Sequence, residues 1–226
     1  KRYTILAYLL LLLSPLCAQE WERQHPFDDL RDVLDVSMCP NGFGVMVGEE
    51  GLVMQTQDFG QTWAYTDENF IGTHREATCV PNGDDTYTTW IAGNDLWRST
   101  DEGQSWEEIQ YPEGFGNTSY LNAIQAEEIV VANAVSIFKT QDAGSSWTDI
   151  KPDSLDFITN IFFLDSDHGW IGDREGQLFI TQNGGLNWDK AVIAEGLEEY
   201  VEPLFEDELN GYASLREDFC GPSDGG

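Results

Sequence analysis

Residues 140–147 read TQDAGSSW. The pattern they define, Ser/Thr-x-Asp-x-Gly-x-x-Trp, stands again at 56–63 (TQDFGQTW), at 99–106 (STDEGQSW) and, with Asn in place of Asp, at 181–188 (TQNGGLNW). The closing tryptophans, Trp63, Trp106, Trp147 and Trp188, lie 43, 41 and 41 residues apart. One such octapeptide carries little information, but four in register at a near-constant period mark a chain built from repeated supersecondary units. The pattern also has a local physical meaning. Asp58, Asp101 and Asp142 can accept backbone N–H groups while Gly60, Gly103, Gly144 and Gly185 tolerate positive φ, so each octapeptide makes a tight turn that the hydroxyl of Thr56, Ser99, Thr140 or Thr181 closes. Asn183 is the weaker substitute in the fourth turn.

Outward from each motif the sequence reads as short strands. Leu52–Thr56, Leu96–Ser99, Ile137–Thr140 and Leu178–Thr181 run directly into the four motifs. Gly44–Gly48, Thr89–Gly93, Ile129–Ala132 and Gly169–Gly172 precede them, and Val33–Val36 and Ile158–Leu164 precede those. With a further strand starting at each motif Trp, every repeat holds four strands. The fold class is therefore all-β, a propeller of four-stranded antiparallel blades with about 42 residues each. Each Trp would plug the space between neighbouring blades, burying about 150–250 Å² at about 25 cal/mol per Å². A brief acidic helical turn is expected at Ala194–Glu199.

The ends extend the period. Trp21 lies 42 residues before Trp63, and Asp224 and Gly226 fall where a fifth motif would begin, with Pro222 in its Ser/Thr position. About five blades' worth of an incomplete ring is expected, with the chain stopping inside a repeat. Residues 1–18 read as a signal peptide: Lys1 and Arg2 precede an apolar run, Ile5–Leu13, too short to span a bilayer, and Ala18 offers a cut before Gln19. A lipoprotein reading through Cys17 is the weaker alternative, because Leu16 is bulkier than the small residue that usually precedes a lipidated Cys. The remaining residues, 19–226, form the repeat domain, and no stable membrane span is expected in them.

The chain has 41 acids against 11 bases and a formal charge of −30. No Lys/Arg cluster exists to release counterions from nucleic acid, and anionic lipid repels such a surface. Cys39 and Cys79 sit in similar surroundings, CPNG and CVPNG, which suggests matching positions in neighbouring repeats. A disulfide between them is permitted outside the cytoplasm. No CxxC supports zinc or redox chemistry, and no metal or cofactor is expected. Asp165 and Asp167 could suggest calcium, but further oxygen ligands at useful spacing are lacking, so a plain turn is expected. Asn117-Thr118-Ser119 fits a glycosylation acceptor.

These octapeptides resemble the Asp-box repeat of sialidases, sortilin-type receptors, certain endoglucanases and the photosystem II assembly factor family. The phrasing from Asp167 to Thr181 (DHGWIGDREGQLFIT) is most similar to the photosystem II assembly factor type, which is also common in secreted bacterial proteins. The resemblance implies that the boxes are structural turns remote from any ligand. By the same resemblance a sialidase would need three arginines around a carboxylate, a Tyr–Glu nucleophile pair and usually an Arg-Ile-Pro motif; Arg23, Arg31, Arg75, Arg98, Arg174 and Arg216 follow residue 18, and none stands in that motif. No catalytic residue is assigned; His25, His74 and His168 are scattered and read as loop or turn residues. The turns between second and third strands gather on one face, presenting Glu49, Glu50, Asp95, Asp173, Arg174 and Glu175. Connections after each Trp add Tyr65, Phe70, His74, Arg75, Tyr111, Phe115 and Tyr120. This face would recognise a protein or carbohydrate ligand. The expected function is a non-catalytic secreted or cell-surface recognition and assembly scaffold, the alternative a glycoside hydrolase.

Overall fold

The computed structural model describes residues 31–66, 68–193, 199–205 and 210–217. The leader 1–18, Trp21, His25, Cys220, the fifth motif and most of the expected helical turn, 194–198, lie outside them; Glu199 begins a strand. Four antiparallel sheets follow one another along the chain. Blade I comprises β1 (Val33–Met38), β2 (Gly44–Gly48), β3 (Val53–Thr56) and β4 (Ala64–Tyr65). Blade II comprises β5 (His74–Pro81), β6 (Tyr87–Gly93), β7 (Leu96–Ser99) and β8 (Glu107–Ile109). Blade III comprises β9 (Tyr120–Ala123), β10 (Ile129–Ala132), β11 (Ile137–Thr140) and β12 (Thr148–Asp149). Blade IV comprises β13 (Ile158–Phe163), β14 (His168–Asp173), β15 (Gln177–Gln182) and β16 (Asp189–Val192). A hairpin of β17 (Glu199–Phe205) and β18 (Gly211–Glu217) follows. The outer strands begin one residue after each motif Trp rather than at it.

The first strands β1, β5, β9, β13 and β17 lie against one another in succession and so line a common axis. Second strands such as IVVA at Ile129–Ala132 are buried throughout, because both faces of a blade meet a neighbour. Three apolar seams result. Val45, Val53, Phe70, Ala77, Ile91 and Trp106 join blades I and II. Trp90, Leu96, Phe115, Ile129 and Val131 join II and III, with Trp147 packed against them. Val130, Ile137, Ile150, Leu155, Ile158 and Phe179 join III and IV, with Trp188 at their edge.

Each octapeptide folds into the same hydrogen-bonded turn. In blade III the Thr140 hydroxyl donates to Asp142 at 2.8 Å and accepts from the Gly144 N–H, while Asp142 accepts the Ser146 N–H and hydroxyl at 2.7 and 2.6 Å. Thr56/Asp58 and Ser99/Asp101 repeat that arrangement. Bonds from Ser146 and Thr140 hold the Asp142 carboxyl below its ordinary range, and bonds from Thr62 and Thr56 do the same for Asp58. In the fourth turn Asn183 accepts only from the Thr181 hydroxyl, at 3.1 Å, and the Asn187 N–H. The residue before each box Gly has positive φ: Phe59, Glu102, Ala143 and Gly184. Only in the fourth turn does glycine relieve that strain.

Two further links cross the seams. Cys39, just after β1, is disulfide-bonded to Cys79 in β5, with Cα atoms 5.7 Å apart, so the pairing that the sequence left open is made. Closing a 40-residue loop restrains the unfolded chain by about 4 kcal/mol on the chain-entropy model. Between blades III and IV, buried Lys139 meets buried Glu128 at 2.8 Å and donates to the Ser166 carbonyl, and the Ser166 hydroxyl donates back to Glu128 at 2.6 Å. Burial acts to raise the Glu128 pKa, yet the bonds from Lys139, Ser166 and Gln141 prevail and hold it below the ordinary range.

Two outcomes follow from these contacts. Lys139→Met strands the Glu128 carboxylate and lowers stability by about 3–5 kcal/mol in urea unfolding, whereas adding Glu128→Leu recovers most of the loss. Asn183→Asp completes the fourth box and raises the melting temperature at pH 7. Because a box carboxylate titrates below its ordinary value of 3.8, that gain persists above this pH and is lost as acid protonates the folded-state carboxylate.

Candidate functional site

Strand direction divides the turns between two opposite faces. The turns joining first to second and third to fourth strands, which include all four boxes, form one. Among the described residues, every charge in those turns is negative: Asp58, Asp84, Asp85, Asp101, Glu102, Glu127, Glu128, Asp142, Asp165 and Asp167. Asp165 is turned onto its own backbone, accepting the Asp167 and His168 N–H groups at 2.8 and 2.7 Å and pairing with the His168 ring at 3.0 Å.

The opposite face carries the turns between second and third strands and the blade-to-blade connections. Here cations and anions mix. Glu49, Glu50, Arg174 and Glu175 are exposed, and Asp95 is half-buried. The Arg174 guanidinium covers the Phe157 ring at 4.5 Å, and Arg31 covers Tyr65 at 5.5 Å while donating to the Glu50 carbonyl. Asp173 departs from the expectation. It is 4% exposed and its carboxylate accepts the Glu175 and Gln177 N–H groups, so it shapes the turn and cannot meet a ligand. Burial raises its pKa, only partly offset by those bonds.

Several aromatics expected on this face are interior. Phe70 and Phe115 are buried in seams, and the Tyr111 hydroxyl bonds to Thr118 and Gly93, with burial pushing its pKa up to about 12. His74, expected in a loop, heads β5 and is fully buried edge-on to Phe70. Tyr65 stays exposed and Tyr120 is half-buried. The exposed apolar residues come instead from positions that carried no sequence signal: Ile71 is 67% exposed and Val135 57%. Both lie in irregular segments where hydrophobic periodicity has no strand to follow.

The axial end of this face has its own geometry. β1, β5 and β13 each shift register near their start, which places Leu34, Arg75 and Thr159 at bulges beside the axis. Bulges re-aim side chains and cluster at functional sites. Arg75 is exposed with no ion-pair partner among the described residues. One residue further along, the register aligns Asp35, Glu76, Tyr120 and Asn160 on successive first strands. Asp35 spends both oxygens on backbone, accepting Val36 N–H and, across the seam, Ala77 N–H, each at 2.8 Å.

Burial, with a smaller contribution from the Asp35 charge, raises the Glu76 pKa from 4.5 to about 7, and burial alone lowers His74 from 6.5 to about 4. The two act in opposite senses. Glu76 binds its proton more tightly when folded, so its contribution to stability falls as pH rises from 4.5 to 7. His74 binds its proton less tightly when folded, so stability falls as pH drops from 6.5 to 4. Glu76→Gln therefore gains on wild type progressively across pH 4.5–7, and His74→Phe flattens the acid-side loss, both measured as urea midpoints against pH.

The sequence model of the photosynthesis system II assembly factor YCF48 matches residues 14–161. The photosystem II assembly protein Ycf48 of Thermosynechococcus vestitus is 26% identical over 164 residues, covering 67% of this chain and 45% of that protein. The chloroplastic photosystem II stability/assembly factor HCF136 of Oryza sativa subsp. japonica is 23% identical over 185 residues, 79% of this chain and 35% of the relative. The chain thus spans under half the length of either. An ancestral GH74 enzyme superposes with a TM-score of 0.55 at 20% identity, over 69% of this chain and 23% of its own, a likeness of fold alone. The blade architecture, the box turns and a family match across more than half the sequence agree: the chain belongs to the photosynthesis system II assembly factor YCF48 family.

Proposed function

We propose that the chain serves as a non-catalytic assembly scaffold outside the cytoplasm, holding a polypeptide partner on the mixed-charge face. The observation that carries this reading is the pairing of exposed apolar side chains, Ile71 and Val135, with the guanidinium of Arg75, which has no ion-pair partner among the described residues, on one face; the opposite face also exposes Phe59 and Leu186, but its described turns hold no cation. Protein interfaces combine apolar contact with arginine anchors. A glycan is the poorer fit, because the aromatics that would supply a stacking platform, Phe70, Tyr111 and Phe115, lie in the seams. The names of the relatives as assembly factors point the same way. For hydrolysis, two carboxylates would have to be free to work on a glycosidic bond. The axial pair offers no such freedom, since Asp35 is committed to Val36 and Ala77.

A photo-crosslinking residue at position 71 or 135 of the full-length protein captures one discrete polypeptide in its native compartment, and the same residue at 85 or 104 does not. Equal capture from both faces, or turnover of any member of a glycan panel, overturns the reading. With that partner purified, Ile71→Asp plus Val135→Asp weakens binding at least tenfold, about 1.4 kcal/mol, while the melting temperature stays within about 2 °C.

A further inference from the structure

The three seams are fastened differently. At two of them the box indole of the later blade donates to a carbonyl of the earlier one: Trp147 Nε1 to Gln110 at 3.1 Å and Trp188 Nε1 to Ile150 at 2.8 Å. At the seam between blades I and II the corresponding Trp106 is only 9% exposed, yet its Nε1 has no acceptor among the described residues. Trp97 Nε1 and both ring nitrogens of His74 are buried without partners in the same place, around Phe70, whose ring stands edge-on to His74, Trp97 and Trp106. Among the described residues this seam alone carries a covalent link, Cys39–Cys79. The strand register puts Ala123 and Phe163 where Cys79 stands, so the other seams have no counterpart.

We propose that the Cys39–Cys79 disulfide is a redox-operated fastening of the blade I–blade II seam, so that a dithiol reductant opens this seam and leaves the others closed. Buried polar groups without partners are costly, and water satisfies them once a seam parts. Opening is therefore least unfavourable where Trp97, Trp106 and His74 are unpaired. The other hydrogen bonds at this junction are Gly51 N–H to the Gly72 carbonyl, Ala77 N–H to Asp35, Asn41 to Glu102 at 2.6 Å and Gln57 to the Glu102 carbonyl at 3.2 Å. The last two are exposed, and water replaces them at small cost.

Chemically, one thiolate of the dithiol attacks Sγ of half-buried Cys79, forming a mixed disulfide and breaking the Sγ–Sγ bond. Cys39 departs as a thiolate and takes up a proton. The second thiolate of the reductant then displaces Cys79, so both cysteines end as thiols and the reductant as its own disulfide, two electrons having passed. Cys39 is 2% exposed among apolar side chains, where a leaving thiolate is disfavoured. Exchange is accordingly slow in the closed seam and fast once it parts, which couples reduction to opening. Since the 66–73 connection carries Phe70 inside the seam and Ile71 on the proposed recognition face, opening also disturbs that face. This consequence rests on the proposed function; the opening itself does not.

The test is amide hydrogen exchange on the full chain when oxidised, after complete reduction with dithiothreitol verified by alkylation mass, and after reoxidation. The expected result is at least tenfold faster exchange in peptides covering 39–47 and 74–80 on reduction, no change across 158–163 and 177–182, and recovery on reoxidation. The Cys39→Ser/Cys79→Ser variant reproduces the reduced pattern, and reduction of the wild type decides the matter should that variant not fold. Unchanged exchange after verified reduction overturns the proposal, as does a uniform rise across all four blades, or both cysteines being free thiols in protein isolated from an oxidising compartment. Partner capture from position 71 is scored separately, so a failure of the recognition reading leaves the exchange result standing.

Discussion

A four-stranded blade has two apolar faces and can bury neither by itself. Everything else in this molecule follows from that constraint. Val130 faces one seam and Val131 the other, so a single strand serves two cores at once. The cost of leaving a face open is visible at β1, whose Val33, Val36 and Met38 have no neighbouring blade among the described residues and stay 41–51% exposed. Repetition solves the problem by making every blade the partner of the next, and the box turn sets the indole that closes each junction.

That logic explains which parts of the structure were legible in the sequence. A period of 41–43 residues, a turn motif with its own hydrogen-bond chemistry and continuous apolar strands such as IVVA are local signals, and each survived into the fold with errors of one or two residues. Strand ends slipped at Trp63, Trp106, Trp147 and Trp188 because the turn spends those residues before outer pairing begins.

The recognition face was harder to read, for a reason of geometry. Phe70, Phe115 and Tyr111 sit in connections, and connections usually lie on surfaces. In a propeller the same segments dip into the seam they bridge, so their aromatics become interior while short neighbours such as Ile71 are left outside. Asp173 was misleading in a related way: one residue before an exposed Arg-Glu pair, it turns inward to hold the turn together. Arg75 carried no motif at all, since the bulge that re-aims it is a property of pairing with β6 rather than of composition.

The segregation of charge between the two ends of the axis has a consequence beyond any single contact. Among the described residues the box-side turns carry only acids while Arg31, Arg75 and Arg174 lie at the other end, so the described part of the molecule is electrically polar along its axis as well as strongly anionic. Near a negatively charged bilayer or an acidic complex it would be turned, box side outward, before touching anything, with a bias that fades as ionic strength shortens the Debye length.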